Sequence, residues 1–465
     1  MTRKLLASLL LALFIPCVSF AVNPATGVYE IRASATANNV NGCGFNSDRA
    51  GTDYTLQDAA QLHSTDGVST AATTFTSVTG GFTDAMKGNY LHLVSATGAD
   101  EVVGWHEIVS VTNGTTLELS QTTGTYTAGD FYIGGACSMN STLDDDMFES
   151  AVAGNIFYVR QAAGTVTAGE QISIAAAGGS QLPIQIIGYT TSRATVPTGT
   201  NRPTMAMGTS AHTLGANWNV YNVIFTGSGT SIWTLGASAV LSNNKFTNSG
   251  AAGRNAITGG ANCTVRNNEF ISTSGDGFEI ANNPCVLTSN YFHDSDTGFR
   301  STATNSFHVL AFNIFDTNAT AAIAIAGAMT GRFFAFGNTI AGAATPAGIG
   351  VSFATGTTNP VLLNNIIWGN VTGVTHADAA GSTAGVSDYN NFYNNTTPRT
   401  NWPTGANDQA IDPSFTDSPN GNFAIGSALK ALGFPGAFAG GLSTGYLDQG
   451  AVQRQESGGA GIIGQ

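Results

Sequence analysis

The sequence predicts an all-β chain, a solenoid of short parallel strands preceded by a small β-module. Three observations predict it: few charged residues, an asparagine-centred repeat of nearly constant length, and apolar columns that recur in register with that repeat. Of 465 residues only 16 are Lys or Arg and 29 are Asp or Glu. Charged residues are thus 10% of the chain, against roughly a quarter in an ordinary soluble domain. Long surface helices need Lys, Glu and Arg on their wet face, so they are disfavoured. With 42% apolar residues, 58 Gly and 13 Pro, the chain can bury a core and is neither collagen-like nor a charged disordered polymer.

The repeat carries the argument furthest. An Asn followed two positions later by a large apolar residue recurs at Asn222/Ile224, Asn244/Phe246, Asn268/Phe270, Asn290/Phe292, Asn313/Phe315, Asn338/Ile340, Asn365/Ile367 and Asn391/Tyr393. Three residues before most of these Asn stands a second apolar column, Leu241, Val265, Leu287, Leu310, Ala335 and Leu362, broken by Asp388. Asn tolerates unusual backbone angles, and its amide can bond to the Asn of the next repeat, so a ladder is expected. A unit of some two dozen residues with short strands and no helix cannot bury its own apolar side; copies stacked at about 4.8 Å can. Leucine-rich repeats and propeller blades are excluded by pattern and by length respectively.

These residues resemble the right-handed parallel β-helix proteins of the pectin-lyase-like superfamily, over roughly residues 142–405. The entry segment TLDDDMFESAVAGNIFYVRQAAGTV is similar to the family's capping helix and first strand. The segment IDPSFTDSPNGNFAIGSALKALGFPG, ending in YLDQGAVQ, is similar to the closure of secreted bacterial surface members. The resemblance implies the fold; the family includes lyases, hydrolases, tailspikes and proteins without activity, so it implies no single function.

Four segments follow. Residues 1–21 read as a signal peptide, with Arg3 and Lys4, an apolar run from Leu5 to Ile15, and Ser19-Phe20-Ala21 for cleavage. Residues 22–141 hold an N-terminal strand, an inserted antiparallel module between about Gly67 and Gly135, and a cap; residues 142–405 the parallel β-helix; and residues 406–465 a closing segment and tail. No later apolar run is long enough for membrane insertion. A net charge of −13 excludes nucleic acid as a partner and disfavours polyanionic glycans unless a basic patch or Ca²⁺ intervenes. The expected product is secreted, with an extracellular carbohydrate or a surface protein as its partner.

Cys263 and Cys285 each lie five residues before a repeat Asn, so they occupy one column on adjacent coils. They are expected to touch, as a disulfide or as stacked thiols. Cys43 and Cys137 flank the inserted module and are expected to close its neck. His308 continues the Cys263 and Cys285 column, but three groups in a straight line do not surround a tetrahedral ion, so no metal site is assigned there.

The columns one and three residues after each Asn place Glu269, Tyr291, His293 and Asp316 on one outward face. Glu269 and Asp316, about 10 Å apart at the backbone, suit an inverting glycosidase, with His293 between them. Tyr291, Trp368 and Phe392 are candidate sugar platforms. A second acidic set, Asp276, Asp294, Asp296 and Glu279 with Arg300, offers oxygens for Ca²⁺, the one cofactor the sequence admits. Against these stands the absence of the Asp-Asp and Gly-His-Gly motifs of polygalacturonase-like members and of an arginine cluster. The sequence alone therefore favours a non-catalytic surface or structural protein that presents a binding face. The alternatives are a polysaccharide hydrolase or lyase acting around Glu269 and Asp316, and a tailspike-like or filament-forming homo-oligomer contacting through the Ala and Gly faces of residues 321–354.

Overall fold

The computed structural model describes residues 27–35, 40–98, 100–139, 147–148, 151–161, 164–281, 284–342, 348–379, 385–430, 432–433 and 448–453. Residues 1–21, expected to be a signal peptide, most of the segment expected to form a capping helix and the tail from residue 454 onward lie outside the described residues. Two compact units divide the chain, one built mainly from residues up to Cys137 and the other mainly from Ile156 onward.

In the first unit, Gly27–Ile31 pairs antiparallel with Gly44–Asn46. Six further strands, from Leu62–Thr70 to Thr125–Ile133, close into an antiparallel barrel. Its core is Phe75, Leu91, Leu93, Ile108, Leu117 and Phe131, contributed by the alternating inward positions of those strands. Cys43 and Cys137 are disulfide-bonded, with Cα atoms 5.3 Å apart. His92 and His106 are buried in this unit, the first stacked on Trp105 and hydrogen-bonded to the Val40 carbonyl, the second bonded to the Val102 carbonyl.

The second unit is a right-handed parallel β-helix. Among the described residues, the first two coils contribute a strand to each of two parallel sheets, and every later coil contributes one to each of three. The first sheet runs from Ile156–Arg160 to Val386–Asp388, the second from Val166–Thr167 to Asn391–Tyr393, and the third from Ser231–Thr234 to Thr397–Thr400. Coils stack in register because identical side chains pile inside. Phe225, Phe246, Phe270, Phe292 and Phe315 form one buried row with successive ring centroids 5.3, 5.3, 4.8 and 4.8 Å apart, continued by Ile340, Ile367 and Phe392. Cys263 and Cys285 face each other on adjacent coils and are disulfide-bonded, which resolves the alternative of stacked thiols. His308 follows in the same column, buried, with Nε2 2.9 Å from the Ser301 hydroxyl.

The corner between the first and second sheets is held by the expected ladder. Asn244, Asn268, Asn290, Asn313, Asn338, Asn365 and Asn390 each donate a backbone N–H and a side-chain amide to the side-chain oxygen of the next member, and the last acceptor is Asp408. The residue before each Asn takes the left-handed conformation that turns the corner, as at Asn243, Asn267 and Asn364.

The structure corrects the register at both ends. Asn222 has φ 62° and is the corner residue of its coil, so Val223 holds the ladder position and Phe225, not Ile224, faces inward. At the other end Asn390, not Asn391, joins the ladder, Phe392 is the buried partner of Ile367, and Tyr393 points outward. Phe392 is therefore no surface platform. The break ascribed to Asp388 also disappears, because Ser387 pairs with Leu362 and faces in.

Candidate functional site

The outward positions of the second sheet place Lys245, Glu269 and Tyr291 in one column of successive coils, and Ile271, His293 and Asp316 in the next. The inward Phe row and the Asn ladder fix these strands from behind, so the exposed side chains project from a rigid surface. Lys245 Nζ lies 2.7 Å from Glu269 Oε1, and His293 Nε2 lies 3.1 Å from the same oxygen. The other ring nitrogen of His293 is 2.8 Å from Asp294 Oδ2. Tyr291 stacks on His293 with centroids 4.3 Å apart and donates its hydroxyl to Asp316 Oδ2 at 3.1 Å. The four residues singled out in the sequence, Glu269, Tyr291, His293 and Asp316, are thus joined into one network, to which Lys245 and Asp294 also belong. Lys245 was legible as the same-column neighbour of Glu269, and Asp294 as the residue beside His293.

The two carboxyls of this face are pushed apart. Burial of Glu269 works to raise its pKa, but hydrogen bonds from His293 and Lys245, with their charges, outweigh it and hold the group at about 2. Burial raises Asp316 above the usual carboxylate range, and the Tyr291 hydroxyl offsets this only in part. Burial would lower His293, yet its bonds to Glu269 and Asp294 raise it above the ordinary imidazole value. Tyr291 is raised by burial and by the Asp316 charge.

Beside the network, Thr273, Ser274, Asp294, Asp296 and Thr317 line an open cleft of about 410 Å³. Asp294 joins the two, accepting from Thr317 on the cleft side and contacting His293 on the other. From the far side the closing segment comes over the sheet: a Cβ placed on Gly421, whose φ is 77°, would stand 3.3 Å from the Tyr291 hydroxyl. Trp368 lies two coils beyond Asp316 and outside the network; its ring meets Phe415 edge-on at 5.6 Å and packs with the buried cluster of Ile366, Ile425 and Leu429.

The second acidic set does not converge. Asp276 is buried 3.7 Å from Arg300 and raised to about 6 by that burial, Glu279 accepts from Asn255, and Asp296 accepts from Thr320. Among the described residues no group of three or more His, Cys, Asp or Glu is arranged to hold a metal ion.

A family model described as a right handed beta helix region matches residues 208–340 and 256–408. The chain folds as a right-handed parallel β-helix. Among solved structures, this β-helix is similar to pectate lyase Pel9A, with a TM-score of 0.50 and 13% identity, over 67% of this chain and 90% of that one. It also matches the periplasmic alginate epimerase AlgG, with a TM-score of 0.32 and 13% identity over 57% and 79% of the two chains. A third match is a mannuronic acid specific polysaccharide family 6 lyase from human gut microbiota, with a TM-score of 0.36 and 10% identity over 56% and 74%. A search of curated protein sequences found no match.

The expectation of a non-catalytic surface or structural element is corrected here: the β-helix similar to this one at a TM-score of 0.50 is a pectate lyase, which favours the alternative of a polysaccharide-degrading enzyme. The physical reason lies in how such a fold assembles chemistry. Side chains from different coils meet across the stack, so the absence of contiguous motifs such as Gly-His-Gly says little about which groups converge. The two disulfides accord with folding in an oxidising compartment. No helix among the described residues is long and apolar enough to cross a membrane.

Proposed function

We propose that the protein is an exported, polysaccharide-degrading enzyme whose reaction centre is the outward face of the second sheet at Glu269, Tyr291, His293 and Asp316. One observation carries the reading: two carboxyls two coils apart on one face, bridged by the Tyr291 and His293 coil between them, have their proton affinities driven in opposite directions, Glu269 down and Asp316 up. Such a split assigns an acid and a base. Asp316, retaining its proton longer and held by the Tyr291 hydroxyl, protonates the leaving glycosidic oxygen. Glu269, kept ionised by Lys245 and His293, receives the proton of the attacking water. The stacked Tyr291 and His293 rings offer a flat surface to a sugar, and the adjoining cleft at Asp294 and Asp296 receives the neighbouring part of the chain. The leader-like residues 1–21 and the two disulfides support export, and an extracellular polysaccharide is the corresponding partner.

A second reading, a lyase, is favoured by the fold likeness to the pectate lyase. In it Glu269 takes the C5 proton beside a uronate carboxylate, the C4–O bond breaks as Asp316 protonates the departing oxygen, and the product carries a C4–C5 double bond.

The test is a panel of neutral and uronate polysaccharides incubated with the mature protein, reading new reducing ends together with the ultraviolet absorbance of unsaturated ends. Hydrolysis gives the first without the second. Glu269→Gln and Asp316→Asn are each expected to lower kcat about 10²- to 10⁴-fold. In parallel, the His293 imidazole, followed by NMR, titrates above the ordinary value and falls back towards it in Glu269→Gln. Full activity in both variants would remove this face from the chemistry, and no cleavage across the panel would end the enzyme reading.

A further inference from the structure

A different face of the β-helix is unusually apolar. Outward positions of the first sheet stack Val286, Val309, Phe334, Val361 and Val386 in register on successive coils. Beside them stand Ala311, Phe336 and Leu363, and at the strand starts Phe307 and Arg332. Val286, Phe307 and Val386 are 37%, 44% and 50% exposed. The equivalent column of the third sheet reads Glu279, Arg300, Ala324, Ser352, Thr375 and Thr400. Strand propensity alone is satisfied by such threonines, so it does not require valine and phenylalanine on the other face. An apolar face of this extent marks an interaction surface.

We propose that this face binds a second copy of the chain, related by a two-fold axis that lies parallel to the strands and passes between the Phe307–Ala311 and Arg332–Phe336 strands. Such an axis keeps each position along the strand and reverses the order of coils. Register then decides what meets what. Val309 falls opposite Phe334 and Ala311 opposite Phe336, small against large in each pair; Val286 falls opposite Val361. Phe307 meets Arg332, a cation over an aromatic ring. Two coils further out on each side, Arg266 falls opposite Asp388. Arg266 is exposed and donates to the neutral Ser242 hydroxyl, and Asp388 accepts from the neutral Asn407, so neither charge is cancelled by those bonds. A charge pair of opposite sign at symmetry-equivalent places is the complementarity that a self-associating surface needs.

The footprint agrees with a modest affinity. Six coils at about 4.8 Å and five residues at about 3.3 Å give roughly 500 Å² per copy, or about 1,000 Å² in total, at the lower end for a specific interface. The arrangement is independent of the catalytic reading, because it uses the first sheet and leaves the second sheet open.

Sedimentation equilibrium of the full mature chain over a wide concentration range tests it. A reversible dimer is expected. Arg266→Asp should raise its Kd about tenfold, and Arg266→Asp combined with Asp388→Arg should restore it. Phe334→Asp should leave a monomer whose circular dichroism and melting match the parent. A chain that stays monomeric at the highest concentration overturns the proposal. So does a dimer unaffected by Phe334→Asp, or a monomer that instead adsorbs insoluble polysaccharide through Phe334.

Discussion

Replacing Asn290 by Ala tests the ladder at its middle. The Asn290 side-chain amide donates to the Val265 carbonyl at 2.9 Å and to Asn313 Oδ1 at 2.9 Å; its oxygen accepts the Asn268 backbone N–H at 3.0 Å and the Asn268 amide at 3.1 Å. After truncation, Asn313 Oδ1 still accepts the Asn290 N–H, and the Asn268 amide keeps the Leu241 and Arg266 carbonyls. The Asn268 N–H loses its partner in a buried corner, while the Val265 carbonyl stays within the parallel ladder between the Cys263–Arg266 and Cys285–Thr288 strands. One orphaned polar group costs about 2 kcal/mol, or about 5 °C in Tm for a domain of this size. Thermal unfolding by circular dichroism reads it, with exposed Thr264→Ala as a control expected within about 0.5 kcal/mol of the parent. Because Asn268 and Asn290 directly precede Glu269 and Tyr291, polysaccharide cleavage should fall with stability. A drop in Tm below about 2 °C would show that water replaces the lost bonds and that the ladder adds little.

Two further outcomes concern the separate units. Replacing Cys263 and Cys285 by Ser opens a loop with a sequence separation of 22, and replacing Cys43 and Cys137 opens one of 94. On chain entropy the losses are about 3 and about 4.5 kcal/mol, falling on the β-helix and the barrel transitions respectively in calorimetry; the reverse assignment would refute the pairing of bonds with units. In the barrel, burial pushes both His92 and His106 down to about 4. Their unfolded pKa is higher, so the unfolded state takes up protons first, and the stability present above pH 6.5 is lost as pH falls towards 4. Each contributes about 3 kcal/mol to that loss. A barrel Tm that does not change between pH 7 and pH 4.5 would contradict their buried, neutral state.

The periodicity of this chain was legible because each coil repeats the same three demands: a buried ring, a corner and an amide. Phe246, Phe270, Phe292, Phe315, Ile340 and Ile367, with the Asn two residues before each, were sufficient to place six coils in register. The two end coils were misread by one residue for a physical reason. Asn serves both the left-handed corner position and the ladder position, so Asn243-Asn244, Asn267-Asn268 and Asn364-Asn365 carry both, whereas Asn222 fills only the corner and Asn390 only the ladder. A single Asn, or an Asn pair displaced by one, does not say which job it performs. Glu269, Tyr291, His293 and Asp316 were legible as neighbours because column position follows from register. Their wiring was not: whether Glu269 pairs with His293 or with Lys245, and that it does both, depends on rotamers. The packing of Trp368 against Phe415 was not legible, because the segment carrying Phe415, Ile425 and Leu429 is distant in sequence and has no repeat to align it.

The last acceptor of the amide ladder has a consequence for growth of the stack. Seven side-chain amides hand their protons in one direction, and Asp408 receives the final pair while Arg399, Ser387 and the Gly405 N–H occupy its other oxygen. A carboxylate has nothing to pass on. An eighth asparagine there would have offered donors to any further coil, including one from another molecule, whereas the aspartate terminates the relay much as a full stop closes a sentence. Chain-end addition is thereby discouraged by chemistry at a single atom pair.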